Sequence, residues 1–174
     1  MRRWWLSLLL LACVASARGA DTTTVAAAAD LTFALGEIAA TYERDTGNRI
    51  RISFGSSGNL ARQIPQGAPV DLFLAADEED IFRLAAQGFL RDRGRLYAIG
   101  RIALLAPHGS PLPVDGELQG LAAALADGRL QRLAIANPEH APYGRAARAG
   151  LERAGLWQPL QGRLVLGDNV AQAA

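Results

Sequence analysis

The run Arg49-Ile50-Arg51-Ile52-Ser53 alternates polar and apolar residues as a half-buried strand does. It gives way to Phe54-Gly55-Ser56-Ser57-Gly58 and then to the short amphipathic pattern Asn59-Leu60-Ala61-Arg62-Gln63. Strand, small-residue turn, helix start is a demanding order, and the chain repeats it. Thr22 to Ala29 suits a buried strand, Asp30 ends it as an N-cap, and the helix that follows puts Leu31, Leu35, Ile38, Ala39 and Tyr42 on one face. Val70 to Ala76 reads as a buried strand, and Asp77-Glu78-Glu79-Asp80 opens a helix running to about Gly88, its acids at the favourable end of the dipole. Strands alternating with helices in this way predict an α/β fold, with parallel sheet covered by helices.

Further along, Arg95 to Pro107 is a long apolar run with Gly100 in its middle, predicted to be a strand crossing from a first lobe to a second. A helix is predicted around Leu118 to Ala126 and a strand at Arg132 to Ala136. The loop Asn137-Pro138-Glu139-His140-Ala141-Pro142-Tyr143-Gly144 then leads into a helix from Arg145 to Ala154. Arg163 to Leu166 is a last strand, and Gly167-Asp168-Asn169-Val170 turns into a helix start. Each of these turns offers amide N–H groups that a helix leaves unpaired at its first turn, together with the positive end of the helix dipole. Such a terminus suits an anion, and Ser56 and Ser57 can add hydroxyl donors without any cationic side chain.

The first residues, Met1-Arg2-Arg3, the apolar run Trp4 to Leu11 and the small-residue tail to Ala20 are predicted to be an export signal, cleaved after Ala17 or Ala20. Cys13 is the only cysteine and sits where a lipoprotein acceptor would. All eighteen basic residues are arginine, and without Arg2 and Arg3 sixteen remain against seventeen acids. A chain so nearly neutral, with its arginines scattered, carries no electrostatic footprint for nucleic acid. Acids crowd at 77–80 without a histidine beside them, so no metal site is predicted there. His108 and His140 are each read as solvent-facing imidazoles in tight turns, and the chain has no nucleophile elbow to support catalysis.

Five segments in order resemble the molybdate-binding periplasmic proteins of ABC transporters: VAAAADLTFAL (25–35), FGSSGNLARQI (54–64), GAPVDLFLAAD (67–77), NPEHAPYGRAA (137–147) and GDNVAQA (167–173). The resemblance implies the type II periplasmic-binding-protein fold, two lobes each with a mainly parallel sheet flanked by helices. Its expected layout is a signal peptide at 1–20, lobe I at 21–98 and a partial lobe II at 99–174. By the same resemblance the oxyanion would be held by Asp30, where the family usually has a serine, by Ser57, and by the amides of Tyr143 and Val170. The family's further tyrosine contact has no counterpart, so the chain is expected to be cut short in its second lobe. The implied ligand is molybdate or tungstate, bound as an oxyanion with no directly coordinated metal and no cofactor. The implied partner is a membrane permease, and the implied setting is the periplasm, as a monomer, with lipid anchoring at Cys13 as an alternative. Two other readings stay open. One is the same fold serving phosphate or sulfate, which Asp30 favours because a carboxylate accepts a hydrogen bond from a protonated oxyanion. The other is an exported α/β hydrolase.

Overall fold

A computed structural model describes residues 22–174, so the predicted export signal and Cys13 lie outside the described residues. Strand β1 (Thr22–Ala28) is central in a three-stranded parallel sheet of order β2-β1-β3, flanked by β2 (Arg49–Gly55) and β3 (Leu72–Leu74). Its last four residues, Val25 to Ala28, are buried, as expected of a strand covered on both faces. The register sets Ala28 beside Gly55, so the ends of β1 and β2 release their turns at the same level. Helices α1 (Thr32–Thr46), α2 (Ser57–Gln63) and α3 (Glu78–Ala86) follow the three strands in turn. Leu60 and Ala61 of α2 and Leu84 of α3 are buried.

The second sheet pairs β4 (Leu133–Ala136) with β5 (Leu164–Gly167) in parallel. Its core is built from Leu121, Ala124, Leu130, Leu151, Leu156 and Leu160, drawn from α4 (Gln119–Ala126), α5 (Pro142–Arg153), α6 (Trp157–Leu160) and the turns beside them. The last helix, α7 (Val170–Ala173), follows β5. Helix α4 takes its cap from a distance. Asp115 accepts from the N–H groups of Glu117, Gln119 and Gly120, and these bonds hold its carboxyl below the usual range. Gly144 sits where a Cβ would lie 2.3 Å from the Ala136 carbonyl oxygen, so α5 can approach β4 this closely only because it lacks a side chain there.

The structure corrects several expectations. Asp30 is no N-cap. It lies inside a 3-10 turn (Ala29–Leu31), and α1 begins at Thr32 behind Leu31 with no side-chain cap. On α1 only Ala39 of the expected face is buried, while Ile38 and Tyr42 are exposed, because the three-stranded sheet covers only part of the helix. Strand β3 is three residues long and Leu72 is exposed, since β3 is an edge of the sheet.

The largest departure is Arg95 to Pro107, which forms no strand. A strand needs a neighbour for its N–H and C=O groups, and no described strand lies alongside this run. Ile99 is 81% exposed in consequence. The run is nevertheless fastened at two places. Tyr97 Oη donates to the Ala75 carbonyl oxygen at 2.9 Å, and Leu104 packs on the second core. Helix α6 was not legible in the sequence, because Pro159 interrupts a pattern only four residues long.

Candidate functional site

The turns after β1, β2, β4 and β5 all open toward one narrow space. It is lined by Ala28, Ala29 and Asp30 from the first turn, Gly55, Ser56 and Ser57 from the second, Ala141, Pro142 and Tyr143 from the third, and Asn169 and Val170 from the fourth, with Ala76 closing the side. Parallel strands bring this about, since their carboxyl ends share one edge and the connections there begin helices. The four residues expected to meet an anion, Asp30, Ser57, Tyr143 and Val170, are therefore neighbours, although they lie up to 140 positions apart in the chain. The space between them measures about 10 Å³, room for one water-sized sphere. Among the described residues, no cationic side chain lines it.

The walls have distinct roles. Ser57 is fully buried at the start of α2, and its Oγ accepts from the Ala76 N–H at 2.9 Å, so its hydroxyl proton is free to point elsewhere. Tyr143 and Val170 stand in the first turns of α5 and α7, where amide N–H groups lack intrahelical acceptors. Asn169 caps α7, its side chain accepting from the Gln172 N–H.

Bonds across the space hold it shut. The Gly58 N–H donates to the His140 carbonyl oxygen at 3.0 Å. Ser56 Oγ lies 3.0 Å from His140 Nδ1, and His140 Nε2 lies 3.6 Å from Asp168, which also accepts from Asn59 at 3.0 Å. Arg145 pairs with Asp77. The His140 ring is thus largely enclosed, with 14% of its side chain exposed, which corrects its reading as a solvent-facing turn residue. Sequence reasoning missed this role because Ser56 and His140 are 84 positions apart and no local pattern joins them.

Asp30 behaves differently from a cap. Its Oδ2 accepts from the Tyr143 hydroxyl at 2.9 Å, so the carboxylate turns toward the opposite wall and not back along its own helix. Burial, the bond to Asp30 and its negative charge together push the Tyr143 phenol up to about 12. Tyr97 is pushed up in the same direction, by burial and by Asp30. A raised phenol stabilises the fold fully below its ordinary pKa of about 10, and that contribution is lost as pH rises toward 12. The melting temperature should therefore fall between about pH 10 and 12, and fall less steeply in Tyr143→Phe, with Tyr97 supplying the remainder. Equal slopes for parent and variant in a pH series of thermal melts would remove Tyr143 from this role.

Helix-start turns from two parallel sheets, facing each other across a closable gap, define a two-sided binding cleft of the kind found in solute-binding proteins. The comparisons agree: residues 23–174 match the bacterial extracellular solute-binding protein family, and the chain belongs to it. It is 38% identical over 165 residues to the molybdate-binding protein ModA of Azotobacter vinelandii, covering 94% of this chain and 62% of that one. The corresponding protein of Rhodobacter capsulatus is 32% identical, over 96% of this chain and 64% of its own length. That of Escherichia coli K12 is also 32% identical, over 99% and 70%. Among solved structures, the Azotobacter vinelandii periplasmic molybdate-binding protein superposes with a TM-score of 0.65 at 31% identity, over 87% of this chain and 64% of that one. The chain thus spans a little under two thirds of the first of these relatives.

Proposed function

We propose that this protein captures molybdate, or the similar tungstate, outside the cytoplasm for delivery to a membrane permease of an ABC transporter. The observation that carries the reading is the convergence of four strand-to-helix turns on one space lined by neutral donors and no cation. A tetrahedral oxyanion presents acceptors in four directions, and amide and hydroxyl donors arriving from four turns match that demand. The Ser57 hydroxyl and the amides of Asp30, Ser57, Tyr143 and Val170 are the donors assigned to it. Relatives bearing the name molybdate-binding protein support the choice of anion, and the A. vinelandii structure is titled periplasmic, which supports the periplasm as the setting. Lobe I at 21–98 and lobe II at 99–174 would be the two bodies that close on the anion, and the protein would act as a monomer without catalysis, cofactor or nucleic acid.

The gap is too small for a tetraoxyanion as it stands, so the anion enters by parting the bonds across it. Calorimetric titration with molybdate, tungstate, sulfate and phosphate tests the reading. Saturable one-to-one binding of molybdate, tighter than sulfate by tenfold or more, is expected. No heat with molybdate, alongside binding of another of the four, would transfer the site to that anion.

One observation favours a second anion class. Asp30 brings a carboxylate to the wall of the space, where it repels a fully ionised dianion and accepts from one that carries a hydroxyl. Hydrogen phosphate is the simplest such anion, and the same titration decides between them.

A further inference from the structure

Among the described residues, Asp30 is the only charged side chain lining the space, and its charge has the same sign as the ligand's. Its setting keeps it there. Tyr143, reaching over from α5, donates to Oδ2, which leaves Oδ1 without a partner among the described residues. Tyr97, from the run between α3 and α4, is the other titratable group that Asp30 acts on, and both phenols stay neutral well past physiological pH. The nearby charges are already engaged elsewhere: Arg145 with Asp77, and Asp168 with Asn59 and His140. Among the described residues, no cationic side chain lines the space to offset Asp30 when an anion arrives.

We propose that the Asp30 carboxylate and the bound oxyanion share one proton, so that each anion is captured together with one H⁺ from solution. This rests on the oxyanion reading of the cleft. With a fully ionised anion such as molybdate, the proton is taken from water onto Oδ1, which then donates to an anion oxygen. With an anion that already carries a hydroxyl, that hydroxyl donates to Oδ1 and no uptake is needed. In both cases the repulsion between two like charges is replaced by a hydrogen bond, and Tyr143 keeps the carboxyl aimed by holding the opposite oxygen. Asp30 becomes a specificity-determining residue, favouring anions that hold or readily accept a proton.

The test is calorimetry with molybdate and with inorganic phosphate on the parent, Asp30→Asn and Asp30→Ser, at several pH values between about 6 and 8 and in two buffers of different ionisation heat. For the parent, molybdate binding should take up about one proton and weaken by about tenfold for each pH unit. Both variants should bind molybdate with no proton uptake and no such slope. Molybdate binding to the parent without proton uptake overturns the proposal. So does a slope retained in Asp30→Asn, which would place the proton on another group, such as His140 beside the cleft against Ser56. If molybdate does not bind but phosphate does, and Asp30→Ser loses it, the proton-sharing proposal stands and the choice of molybdate falls. If no anion binds at any pH, both fall together.

Discussion

Gly58→Ala should leave the protein folded and lower its affinity for molybdate by about fivefold to somewhat over a hundredfold. A Cβ at position 58 would lie 2.5 Å from the His140 carbonyl oxygen and 3.2 Å from two further main-chain atoms of His140. Both sides of that contact are backbone, so no side chain can swing aside to relieve it. Forcing such a methyl into a packed contact costs about 1 to 3 kcal/mol. The cost falls on the closed arrangement alone, because Gly58 belongs to α2 beside the first sheet and His140 to the loop after β4 in the second. Calorimetry reads the affinity, and small-angle scattering reads the shape without relying on any ligand. A variant as compact as the parent, binding as tightly, would show that the cleft does not depend on this approach.

Ser57→Ala should weaken molybdate binding by about 1.5 to 3 kcal/mol, the scale of a hydrogen bond to a charged acceptor. It should also lower stability, because the Ala76 N–H loses the Oγ it donates to in a part-buried position. A fully buried donor left unpaired costs about 1 to 3 kcal/mol, and the half-buried Ala76 N–H should cost less than that. The two effects separate cleanly: the melting temperature without ligand reports the second, and the affinity at a temperature well below melting reports the first. Ser56→Ala should act otherwise, since Ser56 bonds across the gap to His140 and its loss loosens closure. Unchanged affinity in Ser57→Ala would remove this hydroxyl from the ligand's donors.

What the sequence makes legible here is whatever short-range rules determine. The alternation at Arg49 to Ser53 and the glycines around Ser56 and Ser57 suffice for β2, its turn and α2, and the Pro-containing loop at 137–144 suffices for the entry to α5. Because parallel strands end at one edge, finding these turns also finds the neighbourhood of the cleft. Long-range pairing is what escaped. Whether Arg95 to Pro107 forms a strand depends on a neighbour that its own composition cannot supply. A carboxylate ahead of a helix usually caps it, yet Asp30 accepts instead from the Tyr143 hydroxyl, 113 positions away. The His140 ring reads as solvent-facing for the same reason: its partner Ser56 belongs to the other sheet's turn.

The two fastenings of the irregular run set a mechanical limit on the cleft. Tyr97 is tied to the first sheet's layer through Ala75, and Leu104 packs against the second core. Seven peptide steps separate them, and even pulled straight these reach about 25 Å. The run is then a leash with a hard stop. However far the two walls were to separate, the distance between these anchor points cannot exceed that span unless one of them tears loose. Aperture is in this way a property of chain length between two anchors, and adding residues between 98 and 103 would lengthen the leash without touching a single group that faces the anion.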